Sequence, residues 1–316
     1  MQNNISFKFK SKMNKFYLFA TSLVLLFSAC SNDTTSINPE IPEGDVKALS
    51  LFVDIEAPVS KNGTSNYQAL FKNEVTTTNL DHIGVHICQH NAFGTAYTEG
   101  SYNTKWTKGD NWTPESPIFL GSANANIYAY YPHNAASEVN VNTIAVSVGN
   151  TDYLFGKAID TSSNTFIANN QNASASVKMK HAMSQIIWNF TKEDSYVGDA
   201  IVQSITLNKI NLTGTMNIAT GVITPSAEAA AHTLSPTLSI PNSLNLMVIP
   251  TEYENQALSM TFVIDGKSMT SNLAATNFER GKKYNFNVKM KSTGIVIESV
   301  VVEDWTDGSN TNIDIQ

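Results

Sequence analysis

Along most of this chain apolar residues recur at every second position, and that pattern restricts the fold more than any other feature. Leu49, Leu51, Val53 and Ile55 alternate with polar or less apolar residues, as do Ile83, Val85 and Ile87. The pattern returns at Leu244, Leu246 and Val248, at Leu258, Met260, Phe262 and Ile264, and at Tyr284, Phe286, Val288 and Met290. A period of two puts successive side chains on opposite faces of a strand, so each run predicts a half-buried β-strand. No long segment carries a helical period. The one helical candidate, Ala227–Leu234, is short and ends near Pro236. Asp265-Gly266, between two alternating runs, predicts a tight hairpin, because such a turn favours residues that accept positive φ. Ala219-Thr220-Gly221 predicts another turn. Short strands punctuated by Gly, Pro and Asn predict an all-β fold of sandwiches or barrels.

With 316 residues, 42% of them hydrophobic, the chain is long enough for two packed domains. The polar stretch Thr161–Ser176 breaks the strand pattern and is the best candidate for a connection. We place the boundary there, giving an N-terminal β domain at 48–175 and a C-terminal one at 176–316. Net charge is −7, which excludes sequence-independent nucleic-acid binding through a basic footprint. Two cysteines, Cys30 and Cys88, exclude a disulfide framework and a four-cysteine zinc site.

Residues 1–30 read as an export signal. Lys8, Lys10, Lys12 and Lys15 precede an apolar run that ends in Ser28-Ala29-Cys30. Met13 is a second, tidier start than Met1. Small residues before a cysteine resemble a bacterial lipobox, with Phe27 in place of the usual aliphatic residue. This predicts lipidation (palmitate) at Cys30 and outer-membrane anchoring by several acyl chains. Residues 31–47, with Pro39, Pro42 and Gly44, read as a flexible tether. Removing the signal leaves 16 basic residues against 27 acidic ones, a net charge of −11.

Few residues suggest chemistry. His82, His86, Cys88 and His90 share one strand face, with neighbours two apart separated by about 6.8 Å. A metal there is weighed against a merely His-rich polar face, and no nearby carboxylate cluster completes a shell. Nucleophile elbows, zinc-protease helices and phosphate loops are absent from the sequence. Glu303 and Asp304 are adjacent on a strand, so they point to opposite faces and make a poor catalytic pair. No catalytic residue, metal site or cofactor is expected, and the chain is not read as an enzyme. Trp106, Trp112, Tyr128, Tyr130 and Tyr131 cluster, and read as core or as a sugar-stacking platform. His181 shares an apolar face with Val177 and Met179 and reads as a structural core histidine.

Several motifs in one order resemble the fimbrillin-like proteins of Bacteroidetes. These are Asn79-Leu80-Asp81-His82-Ile83-Gly84-Val85, Ile127-Tyr128-Ala129-Tyr130-Tyr131-Pro132, and Met179-Lys180-His181-Ala182-Met183-Ser184-Gln185-Ile186. Gly281-Lys282-Lys283-Tyr284-Asn285-Phe286 and Val302-Glu303-Asp304-Trp305 complete the set. The resemblance implies two transthyretin-like β-sandwich domains in tandem, and a surface-exposed fimbrial (pilus) subunit or accessory protein at the outer membrane. It further implies assembly by β-strand complementation with other fimbrial subunits, and a role in adhesion to host or bacterial surface ligands. The displaced strand would be Ala48–Ala57, with Leu49, Leu51, Val53 and Ile55 as its apolar side chains. In such proteins an arginine usually marks the processing site. Here the sole arginine is Arg280, and Lys61 occupies the expected place. Either another protease cuts there, or the strand stays and the protein acts as a lipidated anchor. The alternative reading is a glycan-binding lipoprotein of a polysaccharide-uptake system.

Overall fold

The computed structural model describes residues 45–56, 79–135, 142–159, 166–226, 228–304 and 310–313. Among them there is no helix. The first strands are β1 (Lys47–Ala48), β2 (Ser50–Ile55), β3 (His82–Gln89), β4 (Thr104–Lys108) and β5 (Trp112–Pro114). They are followed by β6 (Phe119–Leu120), β7 (Ala125–Tyr131), β8 (Thr143–Ser147), β9 (Leu154–Ala158) and β10 (Ser174–His181). Then come β11 (Ser184–Lys192), β12 (Ile201–Ile210), β13 (Thr213–Asn217), β14 (Ile223–Pro225) and β15 (Ala230–Leu234). Next are β16 (Leu238–Ser239), β17 (Asn242–Val248), β18 (Thr251–Tyr253), β19 (Ser259–Ile264) and β20 (Lys267–Asn272). The last are β21 (Thr276–Phe278), β22 (Lys282–Lys291), β23 (Gly294–Asp304) and β24 (Asn310–Ile313).

Seven strands close into a barrel in the order β10-β2-β5-β4-β3-β7-β9. Two five-stranded sheets follow, β17-β11-β22-β23-β24 and β15-β12-β19-β20. The small sheet β14-β13-β8 joins an early strand to two later ones. Alternation explains the burial. In β10, Ala175, Val177, Met179 and His181 are buried while Ser174, Ser176, Lys178 and Lys180 face out. In β22, Tyr284, Phe286, Val288 and Met290 point inward. Asp265 and Gly266 have φ of 48° and 72° and turn β19 into β20, as their dipeptide predicts. The Asp265 carboxylate also accepts from Tyr196 Oη at 2.6 Å and from the amides of Ala200 and Ile201 at 2.9 and 2.8 Å.

The helical candidate Ala227–Leu234 ends as a strand. Ala230–Leu234 is β15, laid antiparallel on β12 with Leu207 opposite His232 and Ile205 opposite Leu234. A sheet edge offers these residues a full ladder, and so short an isolated helix is marginal.

Apolar side chains gather in three clusters. One holds the inner faces of the barrel, including Leu49, Leu51, Ile83, Trp106 and Met179. A second packs the two five-stranded sheets, with Trp188, Phe190, Phe262 and Phe286. The third, with Tyr130, Phe155, Met183, Met216 and Met247, draws from both parts of the chain. Gly156 shows how tight the barrel is. A Cβ there would lie 2.7 Å from the Lys178 carbonyl oxygen and 3.1 Å from Met179 Cα. Those atoms belong to the neighbouring strand's backbone and cannot rotate away. Gly156→Ala is expected to cost about 2–3 kcal/mol, the scale of core overpacking, and to lower the midpoint of urea unfolding.

Candidate functional site

β2 is the N-terminal strand of the barrel and the one that closes it. It runs parallel to β10 through six register pairs, from Ser50 opposite Ser174 to Ile55 opposite Met179. On its other side it meets β5 at a single pair, Leu51 opposite Trp112. Parallel neighbours cannot be joined by a tight hairpin, so β2 is held by a partner far along the chain. Leu49, Leu51 and Ile55 are 6%, 4% and 3% exposed and enter the barrel core; Val53 is half-buried. Phe52, on the outer face, is 59% exposed.

The ends of the strand are also tied. The Leu49 amide donates to Ile118 O at 2.8 Å, and β1 pairs antiparallel with β6. The Glu56 amide donates to Met179 O at 2.9 Å, and its carboxylate lies 3.8 Å from Lys178 Nζ and 3.5 Å from Lys180 Nζ. Both lysines are about half exposed, so these ion pairs add little. The hold on β2 is therefore one backbone ladder plus alternating apolar side chains. Lifting it out would leave an open edge on β10 and a groove floored by the barrel core. Leu49, Leu51, Val53 and Ile55 are thus brought together as one row. Cys30, Lys61 and Trp305 lie outside the described residues.

No group of three or more His, Cys, Asp or Glu side chains suited to a metal occurs among the described residues. The reading of His86 and Cys88 as part of a polar strand face is overturned by their burial. Both are fully buried, because the segment after β3 folds back across it. There the Tyr97 amide donates to Ile87 O, and the Ile87 amide to Ser101 O, each at 2.9 Å. His86 stands edge-on to Tyr102 with ring centroids 4.0 Å apart and is tilted on Tyr130 at 5.5 Å. Asp81, just before the strand, is exposed, 2.5 Å from His82 Nδ1. Burial also raises the Cys88 thiol, so it is an inert core group.

Burial, with His133 nearby, pushes the His86 pKa down to about 4. The unfolded imidazole titrates near its ordinary value of about 6.5. Above that pH both states are neutral at this site and its contribution is complete. As pH falls from there through the folded value, the unfolded chain takes the proton first and stability drops. The loss approaches about 3 kcal/mol, at roughly 1.4 kcal/mol per pH unit. Melting temperature measured between pH 7 and pH 4 should fall more steeply for the native chain than for His86→Phe.

The remaining sequence candidates are also placed. Trp106 and Tyr130 are fully buried, while Trp112, Tyr128 and Tyr131 are half-buried, so the aromatic cluster belongs largely to the core. His181 is buried as expected. Its partner, which no sequence pattern signals, is Asp152, with Oδ2 and Oδ1 at 2.9 and 3.1 Å from Nδ1.

Comparison with known proteins agrees with the resemblance. The fimbrillin-like family model matches residues 68–305. A proposed cell adhesion protein from Bacteroides uniformis superposes with a TM-score of 0.60 at 16% identity, covering 83% of this chain and 100% of its own. A second, from Bacteroides ovatus, gives a TM-score of 0.55 at 16% identity, covering 85% and 97%. At that identity the likeness lies in the fold. No curated protein matches the sequence. The family match spans well over half of the chain, which therefore belongs to the fimbrillin-like family, whose members are fimbrial structural proteins of the cell surface and not enzymes.

Proposed function

We propose that this fimbrial subunit assembles or docks by β-strand complementation at the slot occupied by β2. The carrying observation is the hold on that strand: six register pairs to β10 but one to β5, with apolar side chains at alternate positions. Strand addition works through these two elements, main-chain hydrogen bonds for affinity and pockets for alternate side chains. An incoming strand would run parallel to β10 and place apolar side chains where Leu49, Leu51, Val53 and Ile55 now sit.

In this reading the chain is exported as a lipoprotein anchored to the outer membrane through Cys30. The barrel and the paired five-stranded sheets act as tandem units of the transthyretin-like sandwich type, but the boundary drawn at 175/176 moves to the end of β10, because Ser174–His181 is a barrel strand. Cleavage near Lys61 would free β2 for replacement by another subunit; without it, the chain would serve as a lipidated anchor. Adhesion to surface ligands would be a property of the assembled fimbria. The glycan-uptake alternative needs an exposed aromatic platform, and the burial of Trp106 and Tyr130 counts against it.

Mass spectrometry of the surface form tests this directly. A mature N-terminus near Asn62 supports use in a shaft, and an intact lipidated Cys30 supports use as an anchor. Membrane fractionation of Cys30→Ala should show release from the membrane. Lys178 and Lys180 flank the slot, so lysine cross-linking of intact cells should join them to a partner strand. A surface form that keeps residues 45–56 and yields no cross-link from either lysine would overturn strand exchange.

A further inference from the structure

Arg280 is the chain's one arginine, and it is held in an unusual way. Its guanidinium carbon lies 4.7 Å from the centroid of the Phe155 ring. Its Nη1 donates to the Thr220 carbonyl at 2.5 Å. Among the described residues no carboxylate forms an ion pair with it. The adjacent Glu279 is taken by Lys282, at 3.1 Å. Burial lowers the Arg280 pKa, but an arginine stays charged at any physiological pH.

The support for this guanidinium is rigid. Asn217 Oδ1 accepts from the amides of Ala219 and Thr220 at 3.0 Å each, and the Gly221 amide donates to Asn217 O at 2.7 Å. Gly221 has φ of 67°, and a Cβ there would lie 2.3 Å from the Phe155 ring. Glycine thus permits both the turn and the close approach of the ring. Phe155 is clamped between the turn and Arg280, and the turn's carbonyl fixes one edge of the fork.

The rest of the fork borders a cleft of about 510 Å³ lined by Gly221–Ile223, Pro250–Glu252 and Asn277–Arg280. The cleft is wide open to solvent, so it would hold one face of a ligand without enclosing it. Val222 is exposed and supplies an apolar wall. Glu252 and Asn277 are opposite each other on β18 and β21, both exposed. Glu252 has no ion-pair partner among the described residues.

We propose that this cleft binds a carboxylate-bearing sugar of the uronic acid type. The carboxylate would take the open donors of Arg280, the fork that suits a planar anion. The apolar face of the ring would rest on Val222, and its hydroxyls would bond to Glu252 and Asn277. A multiply charged anion is disfavoured by Glu252, and a purely apolar ligand leaves Arg280 and Glu252 desolvated and unpaired. A single carboxylate surrounded by hydroxyls fits both.

Calorimetric titration of the full chain with galacturonate and glucuronate tests the assignment, against galactose, glucose and a short peptide with a free C-terminal carboxylate. The sugar acids should bind at least tenfold more tightly than the neutral sugars. Arg280→Gln should abolish that preference, and Arg280→Lys should retain part of it. Val222→Asp, which leaves the Phe155 stack in place, should weaken the acids at least tenfold with an unchanged melting temperature. Equal affinity for acidic and neutral sugars, retained binding in both Arg280→Gln and Val222→Asp, or binding of the peptide alone would overturn it.

Discussion

A chain that begins at residue 57 is expected to lose most of its stability, and to regain it when a peptide covering residues 45–56 is added. The deleted strand buries Leu49, Leu51 and Ile55 in the barrel core, with Val53 half-buried. Fully burying such a side chain is worth about 1.5–3 kcal/mol, so three of them supply roughly 6 kcal/mol. Small domains have about 5–15 kcal/mol in all. Truncation also strips the partner from one edge of β10, which then presents six unpaired positions. The truncated chain should therefore melt well below the intact one, and the exposed edge should make it prone to self-association.

The peptide arm separates a replaceable strand from a merely structural one. A ligand that binds only the folded state raises stability with its concentration, so melting temperature should climb with added peptide. The binding sequence follows from the pattern of β2. A peptide with Leu51 and Ile55 changed to Asn should fail, because those side chains face the core. One with Phe52 changed to Ser should work, because Phe52 faces solvent. If the truncated chain melts like the intact one, or if the peptide has no effect at any concentration, β2 is not an exchangeable closure of this fold.

How much of this was legible in the sequence differs from strand to strand. β2, β10 and β22 each have one wet face, and there the period of two reads out the buried side chains correctly. β3 has two buried faces. Its Ile83-Val85-Ile87 face was legible, but the cover over His86 comes from Tyr102 and Tyr130, and periodicity says nothing about remote segments. The Asp-Gly turn at 265–266 was legible because its backbone requirement is local. The neighbour of β2 was not. Its partner strand lies more than 100 residues away and runs parallel, so no hairpin signal links the two. The row Leu49, Leu51, Val53 and Ile55 could be named from sequence, while the slot that receives it needed the fold. Arg280 entered the sequence reading only as a missing processing site; its contact with Phe155 joins residues 125 positions apart.

Asp152→Ala is expected to be the most damaging single change at the junction between the barrel and the following sheets. Asp152 and His181 are 1% and 3% exposed. His181 is the last residue of β10, the strand that carries the groove edge, and the Ala182 amide just beyond it donates to Tyr153 O at 2.8 Å. The pair thus fastens the end of β10 to the segment before β9. Removing the carboxylate takes a hydrogen-bonded acceptor away from the buried imidazole, at a cost of about 1–3 kcal/mol, whereas an exposed pair is worth less than about 1 kcal/mol. Asp152→Asn keeps the shape and an acceptor oxygen, so its cost should be much smaller. Removing both polar groups in Asp152→Ala/His181→Leu should recover part of the loss, because the imidazole that loses its carboxylate acceptor is then gone as well. Urea unfolding of the four proteins, compared at equal m-values, measures each step. A cost below about 1 kcal/mol for Asp152→Ala, or a double variant weaker than the sum of its parts, would mean that the pair is incidental to the hold on β10.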